Sequence, residues 1–379
     1  MKVIYIAHSS GLQGAGFALL NIIKGIREFG ITPILILPQK GILSKEFENL
    51  NIKCYYCPCC NTIYPSRKGL INLLKYPLRI IRMIVLNSYT LHKINKIIRI
   101  ENPDIIHSNT GVIRVGAVAA KRNKIPHVWH IREYQTLDFG WEPIGGIEYQ
   151  KKIYRDNNNH CIAITKNIFD FFELNSKKDK VIYDGVFSDK IKISQCQSNN
   201  YFLFVGCLKE GKGVVDAVNA FNHIINKLPE NIELWLVGKD EIDICNIINE
   251  CSVPNRIKYL GFRNDIYQLM SRAIALIVPS KFEGFGFITT EAMLNKCLVI
   301  GRNTGGTKEQ FDNGFNMLKN EIGLRFETLE QLSQHMIEVV SNPNSFCEMK
   351  ERAYAVVREM YTIENNTKKI LNYYKAIIE

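Results

Sequence analysis

The sequence predicts an α/β protein built from two parallel-sheet units. Three observations carry this. Each half of the chain opens with an apolar strand, a glycine-rich turn and an amphipathic helix, at Lys2–Ala7 with His8–Gly16 and again at Tyr201–Val205 with Gly206–Gly213. Between these openings, short apolar runs alternate with helical periodicities, the pattern of βαβ units. A chain of 379 residues holds about two domains at roughly 150 residues each.

Composition narrows the class. Hydrophobic residues make up 46% and charged residues 22%, ordinary for a globular protein with a full core. No apolar stretch is long enough and free enough of charge to predict a membrane span. The start, MKVIYIAHSSG, lacks the long apolar region of a signal peptide and reads as a first strand. Eleven cysteines without a secretory signal predict reduced thiols in the cytoplasm. The net charge of +11 is uneven: Asn49 to Ile100 contains no Asp or Glu but holds Arg67, Lys68, Lys75, Arg79, Arg82, Lys93, Lys96 and Arg99. A basic amphipathic segment predicts contact with an anionic membrane surface through residues 67–99, at the inner face of the cell membrane. No nucleic-acid motif accompanies the charge, so nucleic acid is not an expected partner.

Taken in order, Lys2 to Ala7 is the first strand. The turn after it carries Gly11, Gly14 and Gly16, which let backbone N–H groups approach a phosphate at the following helix. The spacing is not G-x-G-x-x-G, and no acidic residue ends a second strand about twenty positions on. A dinucleotide-dependent oxidoreductase is therefore disfavoured. Pro33–Leu37 and Ile52–Tyr56 read as the next strands. Asp104 to His107 and Pro126 to His130 are short apolar strands that each end in His, the second followed by Ile131, Arg132 and Glu133. Side chains at the carboxyl ends of parallel strands face the ligand crevice, which makes His107 and His130 candidates. Gly140 to Tyr149 has no strong period and reads as a loop. Cys161–Ile164 is a strand with Thr165 capping the next helix, and Lys180–Val186 is the last strand of a first domain spanning 1–187. A polar linker over 188–200 leads to a second domain over 201–361, and a terminal helix covers 362–379.

In the second domain, Ile274–Val278 reads as a central strand, and PSKFEGFGFITTEAML follows at 279–294. Glu283 falls in the loop at the strand's end and Glu291, eight residues later, in the helix. Gly284 and Gly286 remove side chains from the loop, so its N–H groups can reach a ligand. The helix start adds positive partial charge at the same place. Such a site suits a polyol held by carboxylates beside a phosphate held by amides.

E-G-F-G-x-x-x-x-E, with Pro-Ser before it and Ala-Met after it, resembles the E-x7-E signature of the retaining glycosyltransferases of family 4, which have the GT-B fold. The resemblance implies two Rossmann-like domains facing a central cleft, with the terminal helix crossing back to the first. It implies a hexosyltransferase-type enzyme that moves a sugar from a nucleotide-sugar donor to a glycan or lipid-linked acceptor in cell-surface polysaccharide synthesis. By the same resemblance Glu283 lies against the donor sugar and Glu291 binds the ribose hydroxyls. Gly206-Cys-Leu-Lys-Glu-Gly-Lys-Gly213 is similar to the family's G-R-L-x-x-x-K-G, in which both cations grip the donor diphosphate. Lys212 is present, but Cys207 replaces the Arg and cannot supply its bidentate fork. Lys209 is the candidate substitute.

Leu260-Gly-Phe-Arg-Asn-Asp265 is similar to the loop beside the nucleotide base, which implies that Phe262 and Arg263 flank the base. Gly14 and Ala15, Gly206, and the Gly284-Phe285-Gly286-Phe287 run complete the implied donor contacts. His130 is carried over as the residue lining the reaction centre. His107, Arg132 and Glu133 lie on the acceptor side. The residue before Gly185, Asp184, departs from the family's Asn or Pro. No strand ends in the Asp-x-Asp of a metal-dependent sugar transferase, so neither a metal nor a cofactor is expected. Two other classes stay open: a nucleotide-sugar epimerase, which would not need the basic segment, and a non-catalytic nucleotide-sugar-binding subunit, which Cys207 would permit.

Overall fold

The computed structural model describes residues 1–65, 69–188 and 199–379. The basic residues Arg67 and Lys68, and most of the 188–200 linker, lie outside the described residues. The chain divides into two compact units, Met1–Ser188 with Ile363–Glu379, and Asp189–Thr362.

The first unit is built on strands β1 (Lys2–Ile6), β2 (Thr32–Leu37), β3 (Lys53–Tyr56), β5 (Ile105–Ser108), β6 (His127–Ile131), β8 (Asn159–Ala163) and β9 (Lys180–Val181). They form one sheet in the order β3-β2-β1-β5-β6-β8-β9, and the pairings are parallel. Helices on both faces bury the central strands completely. That is why Val3-Ile4-Tyr5-Ile6 and Ile34-Leu35-Ile36-Leu37 are unbroken apolar runs with no in–out alternation. A separate two-stranded ribbon pairs β4 (Ile63–Pro65) with β7 (Trp141–Pro143). The sequence shows neither strand, because three residues are too few to display a period. The helix over Ile147–Tyr154 likewise interrupts what reads as a loop.

The helix Ile363–Ile378 belongs to this first unit. It packs on the helix Ala15–Arg27 so tightly that a Cβ added at Gly25 would lie 2.2 Å from the Thr367 hydroxyl oxygen. Ile363 N–H donates to the Phe187 carbonyl at 2.8 Å, and Asn366 Nδ2 donates to the Tyr183 carbonyl at 2.7 Å. The departing and returning chain segments are thereby tied together.

The second unit carries β10 (Tyr201–Val205), β11 (Glu233–Val237), β12 (Ile257–Tyr259), β13 (Ala275–Val278), β14 (Leu298–Arg302) and β15 (Leu324–Phe326). Their order is β12-β11-β10-β13-β14-β15, all parallel. The three-residue edge strand β15 has no sequence signal. In both units the strand order reverses next to the first strand, between β1 and β5 and between β10 and β13. Open α/β sheets bind ligands at this switch point, beyond the carboxyl ends of the strands.

Candidate functional site

The switch point of the second unit is formed by three loops, after β10, β13 and β14. The loop after β10 ends in a short 3-10 turn, Glu210–Lys212, and Gly213. Gly213 has φ +72°, and a Cβ there would lie 2.3 Å from the Pro279 carbonyl oxygen. Only glycine lets the first loop lie against the second. Lys281 N–H donates to the Gly211 carbonyl at 3.2 Å. This contact places Lys212 over the loop after β13. Its Nζ sits 2.8 Å from Glu283 Oε2 and 3.0 Å from Oε1. The pair is partly buried, with side chains 31% and 16% exposed.

The third loop supports the Glu283 backbone. Gly305 has φ +55°, and a Cβ there would stand 2.6 Å from the Glu283 carbonyl oxygen and 2.9 Å from its nitrogen. Gly306 N–H donates to that carbonyl at 2.8 Å. Gln310 Nε2 donates to the carbonyls of Phe285 and Gly286 at 2.6 and 3.2 Å. These bonds fix the turn in which Gly286, at φ +86°, starts the helix Phe287–Leu294. The loop amides and the helix N-terminus are thus held in one orientation beside Lys212.

Glu291 lies on that helix, where burial pushes its carboxyl up to about 7. The Tyr267 hydroxyl donates to its Oε1 at 3.5 Å. Phe262 is 77% exposed. Arg263 is held by Asp265 at 2.8 and 2.6 Å, which aims its guanidinium. Phe285 is different: its ring is buried and packs edge-on against Phe287 and Tyr361, so only its backbone is available to a ligand. Gly206 leads directly from β10 to Cys207. Burial and the neighbouring Glu241 raise the Cys207 thiol, while Lys209 and Lys239 oppose them. Two ammonium groups therefore act on the place where the resemblance expects an Arg.

In the first unit, the turn after β1 ends at Gly14, which precedes the helix Ala15–Arg27. His107 ends β5 and His130 lies in β6. Neither imidazole reaches solvent. The rings stand 5.3 Å apart. His107 Nδ1 contacts the Tyr374 hydroxyl of the terminal helix at 2.5 Å, and Tyr374 donates to Tyr5 at 3.2 Å. Burial, followed by Arg132 and then His107, holds the His130 pKa well below its usual value, so it is neutral. The Arg132 guanidinium, which can only donate, contacts His130 Nδ1 at 3.3 Å. His130 therefore carries its proton on Nε2, which lies 3.9 Å from Asp184 Oδ1.

Arg132 itself is clamped. Its Nη1 donates to both Asp184 oxygens at 2.6 and 2.5 Å, and its Nε donates to the Asn109 carbonyl at 3.0 Å. Asn109 Nδ2 in turn donates to the Ala15 carbonyl at 2.8 Å. The glycine turn, the Arg132–Asp184 pair and His130 thus form one polar network. Glu133 points elsewhere: it accepts from Gly111 N–H at 2.8 Å, and burial pushes its carboxyl up to about 8. The residue type at 184 signals a departure in the sequence, but its partner Arg132 is 52 residues away and no spacing connects them. Asn109 and Gln310 carry no sequence signal at all. Their roles come from packing between distant loops.

Residues 187–356 match the family model described as glycosyl transferases group 1. An uncharacterized glycosyltransferase of Methanocaldococcus jannaschii is 28% identical over 263 residues, 68% of this chain and 71% of that one. The UDP-Gal:alpha-D-GlcNAc-diphosphoundecaprenol alpha-1,3-galactosyltransferase of Escherichia coli is 24% identical, covering 88% of this chain and 91% of its own. The crystal structure of Anabaena HepE in complex with UDP superposes with a TM-score of 0.80 at 19% identity, over 99% of this chain and 100% of that one. The two parallel-sheet units make the architecture GT-B. With the group 1 domain across its second unit, the protein is a glycosyltransferase.

Proposed function

We propose that the protein is a retaining, metal-independent transferase that moves a sugar from a nucleotide-sugar donor to a lipid-linked or glycan acceptor in surface polysaccharide synthesis, on the cytoplasmic side of the membrane. The observation that carries this is the Lys212–Glu283 pair, held at 2.8 Å beside a helix N-terminus at the switch point of the second sheet. Transfer breaks the anomeric C–O bond to the diphosphate and forms one to the acceptor hydroxyl oxygen, whose proton passes to the departing phosphate as charge develops on the β-phosphate. The Lys212 ammonium and the loop amides stabilise that charge, and because they are already oriented they need no reorganisation as it forms. Lys209 supplies the second cation that Cys207 does not. Glu283 orients the sugar, and Glu291 accepts hydrogen bonds from the ribose hydroxyls. Phe262 and Arg263 flank the base, and the amides of Gly206, Gly284 and Phe285–Phe287 line the diphosphate. Gly14 and Ala15, at the turn after β1, are carried over as further donor contacts.

In the same reading His130, neutral, fully buried and with its proton on Nε2, orders the polar network behind the reaction centre and is not a base. His107, Arg132 and Glu133 stand behind the acceptor side as a rigid, preorganised wall. The acceptor class rests on relatives whose names specify diphosphoundecaprenol-linked substrates. UDP is the first nucleotide to try, since similar folds have been solved with UDP and UDP-glucose. No residue pair is assigned as a nucleophile. Retention then follows from attack on the face the leaving group departs from.

The test is proton NMR of the first sugar anomer formed during slow hydrolysis of an α-linked nucleotide sugar, with EDTA present throughout. An α-anomer formed at an unchanged rate in EDTA is the expected result. A β-anomer would contradict retention, and loss of the reaction in EDTA would contradict metal independence.

A further inference from the structure

One helix is too apolar on its outer face to be explained by the fold. The helix Leu70–Glu101 is 32 residues long, and its two parts behave differently. From Thr90 onward it is an ordinary surface helix, with Leu91, Ile94, Ile97 and Ile98 buried in the first unit's core. From Leu70 to Tyr89 no residue is buried. In that stretch Leu70, Leu74, Leu78, Ile81, Ile84 and Val85 are each more than half exposed. Their spacing of three, four and seven places them on one face of the helix. Asn72, Tyr76, Arg79, Met83 and Leu86, on the opposite face, are partly covered.

We propose that this first part of the helix lies flat in the interface of an anionic lipid bilayer, with the Leu74–Leu78–Ile81–Val85 face inserted among the acyl chains. Charge complementarity selects this occupant. Lys75 and Arg82 flank the apolar face on one side, with Arg79 beyond them, and residues 49–100 contain no acidic side chain to oppose an anionic surface. A second copy of the chain packed on this face would bring the same cations together with no carboxylate between them. Twenty residues at about 1.5 Å each make a rod of roughly 30 Å. Pro77 and the cations keep it from crossing, and among the described residues no helix is long and apolar enough to span a membrane. The geometry is that of an interfacial amphipathic helix. It deepens the reading of a lipid-linked acceptor, because the enzyme would meet such a substrate at the surface that holds it.

The test is co-sedimentation of the full chain with vesicles, which needs no turnover and so separates this claim from the catalytic one. Vesicles of equal phosphatidylglycerol and phosphatidylcholine are compared with phosphatidylcholine alone. The wild type is expected to bind the anionic vesicles and to weaken steeply with salt. Each cation near such a surface is worth roughly fivefold in partitioning, so Lys75→Gln with Arg82→Gln lowers binding about 30-fold. Leu74→Asn, Leu78→Asn and Ile81→Asn together abolish it, and being exposed they leave the thermal midpoint unchanged. If that triple variant fails to fold, the emission of Leu78→Trp decides instead: it shifts to the blue on anionic vesicles. Wild type remaining in the supernatant, or emission unmoved by vesicles, would overturn the proposal. So would a dimer in solution that the triple variant converts to monomer, because a second copy would then cover the face.

Discussion

Replacing Lys212 by Met tests what the pair with Glu283 is for. The ammonium lies 2.8 Å from Glu283 Oε2, but its side chain is 31% exposed. A partly exposed ion pair contributes less than about 1 kcal/mol to folding, so the thermal midpoint moves by only a few degrees. Its proposed part in the reaction is larger. Removing one preoriented group from a developing oxyanion costs about 2.7–4 kcal/mol, or roughly 10²–10³ in kcat. Glu283→Gln costs activity through the sugar it orients and also loosens Lys212. Because the two groups touch, their losses overlap. The double variant should therefore retain roughly 10- to 100-fold more activity than the product of the single losses predicts. The assay is nucleoside diphosphate release with saturating donor, run beside calorimetric melting of the same four proteins. Fully additive losses would refute the view that the pair acts as a unit. A Lys212→Met protein with wild-type kcat would refute its role at the leaving group.

Three further outcomes follow from the geometry. With its carboxyl pushed up to about 7, Glu291 is about one-tenth ionised at pH 6, so titration calorimetry should show nucleoside diphosphate binding roughly tenfold tighter at pH 8 than at pH 6; Glu291→Gln should bind more weakly and lack this component. Gly305→Ala places a methyl against the Glu283 backbone in a left-handed conformation, so nucleotide affinity should fall at least tenfold in the same measurement while the far-ultraviolet spectrum stays unchanged. Burial holds the Glu133 proton up to about pH 8, whereas the unfolded chain releases it near 4.5. The folded state binds more protons across that window, so this contribution to stability is full below 4.5 and lost as pH rises through 8. Roughly 3–5 kcal/mol is at stake, and Glu133→Gln should flatten that part of the pH–stability curve measured by urea unfolding.

Much of the architecture is legible in the sequence because parallel strands covered on both faces are unbroken apolar runs, as at Val3–Ile6 and Ala275–Val278. The strands that escape notice, β4, β7 and β15, are three-residue pieces held by partners distant in sequence. The residues proposed for the donor side stand out because their pattern is local: Glu283, Gly286 and Glu291 lie in one loop and the helix after it, and Lys212 sits in a glycine turn. What supports them is not local. Gln310 grips carbonyls 25 and 24 residues away, Asp184 clamps Arg132 across 52 residues, and Tyr374 reaches His107 across 267. The histidines show the limit most clearly. A strand-end position predicts access to a crevice, yet both rings are sealed by side chains that no spacing rule places beside them. The outer face of the Leu70–Glu101 helix lies between these cases: its composition is plain in the sequence, but only the structure shows which residues stay uncovered.

The central claim is that Glu283, Glu291 and Lys212 hold and activate a nucleotide sugar. The most direct measurement is release of nucleoside diphosphate from a panel of UDP-, GDP- and dTDP-sugars without acceptor, for wild type and Glu283→Ala. Slow release from one donor by the wild type, reduced at least 100-fold in the variant, is the predicted result and identifies nucleotide and sugar together. Release at equal rates from both proteins, or no binding of any donor by the wild type, would contradict it.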